Sequence, residues 1–431
     1  MGINKVQYGN TTLIDLTSDT VTPSVLMEGY TAHDRSGAII TGTATGGGTG
    51  AISVVDTTDT HGGTIRTITA VDISDTTAVA EDVAQGKYFY TADGTKTVGT
   101  SSGGGGDESL IRQIILRTIT DITFPSDIVM IGDYAFANCT YFNPSSLPNT
   151  VTSIKLYSFY NCKALALTNL PNNLTYIGDY AFNKCSALAL TTLPSGVIDI
   201  SAHAFDGCTN LALTSLSNDV SYIRDYAFNG CENISLTSLP SGITIIPIYA
   251  FADCYRLALT SLPDGLISIG NYAFNACENI TSISCAGRIT TLGYYAFNGD
   301  ALHPMKLASV SFPNMSISTL YTTFGHTTAN NACKLLKVAD IGSTKTIGAN
   351  AFNNCNSLDT LILRRSDAIC TMQNPNAFTN TPMRGYNSLT GTVYVPQALI
   401  SAYQTATNWS TLYNDGMVTF VAIEGSEYDL S

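Results

Sequence analysis

The chain is poor in charge. Of its 431 residues only 12% are Asp, Glu, Lys or Arg, and 20 basic side chains face 33 acidic ones, for a net charge of −13. Nucleic acids and anionic membrane surfaces are bound by cationic stripes that displace counterions, so neither is an expected partner. No run of the eighteen or so consecutive apolar residues of a membrane-spanning helix is present, and no membrane insertion is expected. The opening stretch MGINKVQYGNTTLIDL holds one lysine and no apolar segment of the kind that drives export. Synthesis in a cytoplasm is the expectation, although the Thr, Ser, Asn and Gly-rich composition suits a protein that ends outside the cell.

Sequence motifs for chemistry are missing too. The five histidines, His33, His61, His203, His303 and His326, stand isolated, with no H-E-x-x-H, G-x-S-x-G or P-loop around them. C-x-x-C is absent, which argues against a metal site. Paired carboxylates of the glycosidase kind leave no local motif; Asp133, Asp179 and Asp225 recur at one position beside tyrosine and read as a solvated edge. No catalytic residue, cofactor or metal ligand is expected.

What the chain has in abundance is repetition. Phe136, Phe159, Phe182, Phe205, Phe228, Phe251, Phe274 and Phe297 follow one another at intervals of 23 residues without slippage. Such a period marks a solenoid, whose units are too small to bury their own apolar faces and do so by stacking. In the unit SALALTTLPSGVIDISAHAFDGC, residues 186–208, the expected core positions are Leu188, Leu190, Leu193, Val197, Ile200, Ala204, Phe205 and Cys208. Leu188 and Leu190 alternate as in a half-buried strand, and Pro194, Ser195 and Gly196 turn the chain. Eight such units, with strands spaced as in a parallel sheet, would extend about 35–40 Å. After Phe297 the rhythm breaks: the next strong copy, IGANAFNNC, places Phe352 at a distance of 55, with one or two degenerate, loop-bearing turns expected between.

Two columns in this array invite a functional reading. Cys139, Cys162, Cys185, Cys208, Cys231, Cys254 and Cys277 recur at the same period. Stacking would bring neighbours within disulfide reach, but equivalent side chains on stacked turns point the same way, and reduced thiols filling a small apolar slot are the expectation. The second column, Tyr134, Tyr157, Tyr180, His203, Tyr226, Tyr249, Tyr272 and Tyr295, precedes each Ala-Phe or Ser-Phe. These rings are expected at the surface about 5 Å apart, where they are the candidate contacts for a sugar or protein ligand. The plainer account is that they shield the turn and stack on one another.

The glycine runs at 46–50 and 101–108 divide the chain. We read 1–45 and 51–100 as two related small α+β or mainly β modules, since EGYTAHDRSGAIITGTATGGG and QGKYFYTADGTKTVGTSSGGG match at an offset of 57. In the first, Thr22 and Pro23 open a short helix ending at Gly29. The solenoid then occupies 109–385, degenerate at 301–340. The segment 386–431 is its C-terminal cap, with Pro396 opening a helix that carries Leu399, Ile400 and Tyr403, followed by the only tryptophan, Trp409.

The pattern L-x-L-x-x-L-P-x-x-V-x-x-I-x-x-x-A-F-x-x-C resembles the BspA-like class of leucine-rich repeats, found in bacterial surface proteins and in phage proteins. That resemblance implies a parallel β-sheet on one face of the solenoid, irregular or short-helical turns on the other, and binding rather than catalysis. The first hundred residues, in turn, look like the tandem modules of phage tail-fibre and tail-tip proteins. Together the two resemblances imply a virion tail protein. It would attach to other tail proteins through its N-terminal modules, form a trimer or hexamer, and adhere to a glycan or protein of the host cell surface. The rival expectations are a bacterial cell-surface adhesin of the same repeat family, a structural tail spacer, and a surface-glycan depolymerase.

Overall fold

The computed structural model describes residues 119–430, apart from 123, 125, 126 and 329–331, together with eight short strands N-terminal to them. Those strands pair as antiparallel hairpins: Lys5–Tyr8 with Thr11–Asp15, Thr31–His33 with Ile39–Thr41, Ser53–Thr58 with Thr64–Thr69, and Tyr88–Tyr90 with Lys96–Val98. The second and fourth are one hairpin displaced by 57 residues, the offset at which the sequence itself repeats. The short helix expected after Thr22 and both glycine linkers lie outside the described residues.

Beyond Ile119 the chain winds as a solenoid, and one coil shows why. Leu188, Leu190, Val197, Ile200, Ala204, Phe205 and Cys208 are fully buried, with Leu193 at 9% exposure. Pro194 has no N–H to give a ladder; the turn it opens is closed by the Val197 N–H donating to its carbonyl at 3.1 Å. Asp199–Ile200 then pairs, parallel and in register, with Tyr222–Ile223 of the next coil. The following bend passes through left-handed conformations at His203 (φ 54°) and Gly207 (φ 75°). There the N–H groups alternate in use. His203, Phe205 and Gly207 donate to the next coil's Asp225, Ala227 and Asn229 carbonyls at 2.7–3.0 Å, while Ala204, Asp206 and Cys208 close local turns at 3.0–3.3 Å. The bend therefore carries its hydrogen bonds without a helix or a strand.

Phenylalanine rings run through the centre. Consecutive rings from Phe136 to Phe378 stack with centroids 5.3–5.8 Å apart. The 55 residues from Phe297 to Phe352 are two coil steps, of 27 and 28 residues. Phe324 occupies the column, 5.6 Å from Phe297 and 5.7 Å from Phe352, with Thr323 buried in the alanine position. At the N-terminal end Phe142 lies flat on Phe136 at 4.3 Å. At the other end Phe378 meets Trp409 at 6.0 Å.

The ladders fall differently from the expected strand at Leu188 and Leu190. In the regular coils the paired strands are two residues long and end on the isoleucine column: Met130–Ile131, Ser153–Ile154 and Tyr176–Ile177 form one ladder, and Ile245–Ile246, Ser268–Ile269 and Thr291–Leu292 another. The leucine run makes one or two backbone rungs per coil, such as Ala212 N–H to Leu190 carbonyl at 3.0 Å. The reason is spacing. Leu190 and Leu193 flank two exposed threonines, which breaks the two-residue alternation a strand needs. From Ile280 onward the order inverts, with Ile283 and Cys285 alternating inward. A six-stranded parallel sheet then forms from Ser282–Ser284, Ser309–Ser311, Val338–Asp340, Thr360–Ile362, Gly391–Val395 and Val418–Ala422.

Between the last two of these strands lie helices α1 (Ile400–Thr405) and α2 (Trp409–Asn414). Tyr403 and Trp409 are fully buried. The Tyr403 hydroxyl accepts the Cys370 N–H and the Trp409 indole N–H donates to the Cys370 carbonyl, each at 2.7 Å. The helices thereby close the end of the apolar stack.

Candidate functional site

The fold brings all eight residues of the aromatic column together. Successive rings from Tyr134 to Tyr295 stack at 4.3–5.1 Å, within 13° of parallel except for the last pair, which is inclined by 30°. All are half-buried. Each has φ between 53° and 57°, a region that costs a residue with a β-carbon about 1–2 kcal/mol. Ring stacking, at about 0.5–1.5 kcal/mol per pair, offsets that cost. Burial pushes the phenols of Tyr157, Tyr249 and Tyr272 up, reinforced by neighbouring phenols in the column. The chemical consequence is that the ring faces cover one another. What remains for a ligand is a strip of ring edges and hydroxyls.

The other columns are structural. None of the eleven cysteines forms a disulfide, and all are buried. The Cys185 and Cys208 thiols each donate to the phenylalanine carbonyl one coil back, Phe159 and Phe182, at 3.0 Å, and burial pushes both thiols well up. Cys333 continues this pattern across the irregular coil, donating to Phe297 at 2.9 Å. Asp133 and Asp179 accept the backbone N–H groups of Leu156 and Ala202 in the next coil at 3.0 and 3.1 Å. Among the described residues no group of three or more His, Cys, Asp and Glu is placed to hold a metal ion, and no helix is long and apolar enough to cross a membrane.

A second feature was not found from the sequence. Large apolar side chains lie exposed on the two-residue ladders, Tyr176 (46%), Tyr222 (53%) and Ile245 (54%), and within three residues of them, Ile198 (52%), Ile267 (49%) and Tyr294 (42%). They occur one to a coil over six consecutive coils. The Lys155 ammonium sits 4.9 Å from the Tyr176 ring centroid and the Arg224 guanidinium 4.8 Å from that of Tyr222. Arg224 is held in turn by both carboxylate oxygens of Asp199, the shorter contact being 2.6 Å. Tyr294 stacks on Tyr321 at 4.7 Å. For Tyr176, Tyr222 and Ile245 the hint in the sequence is size, since other coils carry Ser, Thr, Asp or Met before the isoleucine column.

The BspA type leucine rich repeat region matches the chain in six copies, over residues 116–235, 187–303 and 304–394. Among solved structures, a leucine-rich repeat protein from Bacteroides ovatus is 19% identical, with 86% of this chain and 98% of that one covered and a TM-score of 0.41. A leucine rich cell surface protein from Faecalibacterium prausnitzii is 19% identical over 76% and 94%, with a TM-score of 0.28. A leucine-rich repeat protein from Eubacterium ventriosum is 16% identical over 68% and 92%, with a TM-score of 0.34. No curated protein matches. The family match corrects the expectation of a phage tail-fibre or tail-tip protein: the repeats over 116–394 are those of the BspA type, and no match supports a tail protein. The tail expectation rests on the resemblance of the first hundred residues and on the lack of a visible export signal, whereas the repeats that make up most of the chain match the BspA type. The chain belongs to the BspA type leucine rich repeat family.

Proposed function

We propose that this protein is a non-enzymatic adhesin of a bacterial cell surface, whose solenoid binds a protein or glycan partner. The observation that carries the reading is the succession of exposed large side chains, one to a coil over six coils, from Tyr176 to Tyr294. Such a row has no role in burying the coil beneath it, and exposed apolar patches of this kind mark interaction surfaces. The edge strip of the tyrosine column offers a second, more polar line of contact. Repeated weak contacts along a solenoid, and several copies on one cell, raise avidity without new chemistry.

The test has two arms. Antibody raised against the solenoid is expected to label intact producing cells, and external protease to remove the signal; labelling only after lysis would refute surface display. The full chain on beads is expected to retain isolated cell envelopes or their glycans without shortening them. Shortened glycan chains would refute the non-enzymatic reading.

A further inference from the structure

We propose that the apolar row on the two-residue ladders is a docking surface for a polypeptide of another protein, one that presents aliphatic side chains beside lysine or arginine. The proposal rests on the binding reading above and names the partner's chemistry. The fold does not require these side chains. At the same ladder position as Tyr176, Tyr222 and Ile245 other coils carry Ser153, Ser268 and Thr291, and their ladders keep the same register. The exposed side chains span six coils, five intervals of about 4.8 Å or roughly 24 Å, and are drawn from three columns, Tyr294 lying further round its coil than the others. That shape suits an extended strand or a helix laid along the solenoid.

The electrostatics give the partner its sign. Four carboxylates, Asp133, Asp179, Asp199 and Asp225, stand on or beside this face against two cations, Lys155 and Arg224. Burial first, and then the charges of Asp179, Asp133 and Asp199, push the Tyr176 phenol up. The surrounding chain is itself at −13. A basic partner gains both from contact and from steering. A glycan is disfavoured by the chemistry of the row: a cation already covers one face of Tyr176 and of Tyr222, and Ile198, Ile245 and Ile267 offer neither a hydrogen bond nor a ring.

The experiment compares the full chain with the double variant Tyr222→Ser, Ile245→Thr, residues that other coils carry on this face and that leave the net charge unchanged. The probe is a fluorescein-labelled peptide of alternating leucine and lysine, read by anisotropy, with leucine–glutamate and serine–lysine peptides as controls. Circular dichroism checks that the variant folds. The leucine–lysine peptide is expected to bind the wild type at least tenfold more tightly than the variant, and neither control peptide to bind comparably. Equal binding by the variant would reduce the effect to bulk charge and overturn the proposal. Equal binding of the glutamate peptide would overturn its electrostatic half. A wild type that sediments as a dimer while the variant is monomeric would give the surface to a second copy instead. None of these readouts depends on where the cell places the protein, so failure of the surface-display test is distinguishable from failure here.

Discussion

Replacing Phe228 with alanine removes one ring from the middle of the aromatic stack. Phe228 is fully buried between Phe205 at 5.6 Å and Phe251 at 5.5 Å. Truncating a buried phenylalanine costs about 3–5 kcal/mol, the lost ring contacts included. In a solenoid each coil touches only its neighbours, so the deficit falls on two interfaces and leaves distant coils intact. The chain supplies its own local reporter, since its single tryptophan, Trp409, is buried against Phe378 at the C-terminal end. Far-ultraviolet circular dichroism reports all coils; Trp409 emission reports the last. With a urea dependence of about 2 kcal/mol per molar, the circular dichroism transition is expected to begin about 2 M lower in the variant. The Trp409 transition should stay within about 0.5 M of wild type. Phe136→Ala, at the N-terminal end of the stack, serves as a control that frays one end and gives a smaller shift. Two superimposed transitions moving together by the same amount would refute the nearest-neighbour reasoning, and an unmoved dichroism midpoint would refute the core assignment.

Three further outcomes follow from the geometry. All eleven cysteines are buried, and burial pushes those of the repeat column, such as Cys185, Cys231 and Cys277, well up. Native protein should therefore show no fast-reacting thiol towards Ellman's reagent and all eleven in urea; rapid labelling of any of them without denaturant would contradict the packing. The Asp253 carboxyl is pushed up, first by burial and then by Asp300, so the stability it contributes is present below the ordinary carboxylate range and lost as pH rises through its folded value. Asp253→Asn suits the left-handed φ of 58° and should stabilise at neutral pH, with the gain shrinking as pH falls through the ordinary carboxylate range; a gain independent of pH would exclude the charge as its cause. Arg364 pairs with the buried Asp340 at 2.7 Å and donates to the Tyr428 carbonyl at 2.9 Å. Arg364→Met strands that carboxylate at a cost of about 3–5 kcal/mol, and adding Asp340→Leu should recover most of it in urea melts; no recovery would mean the loss came from the tail contact.

The period of the phenylalanines, the inward columns and the alignment of the tyrosine rings were legible in the sequence because each depends on identity at a fixed spacing. Phe324 was not. Leu320 precedes it by four residues where Ile177 precedes Phe182 by five, and extra residues follow before Cys333, so the coil keeps its place in the stack while losing its place in the count. The ladder position was misjudged because Leu188 and Leu190 alternate, and the two exposed threonines after them decide the matter. The row from Tyr176 to Tyr294 was hidden for a different reason. It obeys no period, since its members come from three different columns, those of Ile198, Tyr176 and Tyr294, and no single column shows it. The tail-fibre expectation came from resemblance in the N-terminal segments, which place no constraint on the solenoid.

The in-register pairing of Asp199–Ile200 with Tyr222–Ile223, and of its counterparts along the chain, makes adjacent coils interchangeable as joints. Loss or gain of 23 residues at any such joint restores the same seam, so the molecule is a ruler graduated in steps of about 4.8 Å. Reach can then be tuned by recombination between coils while the capped terminus is carried along untouched.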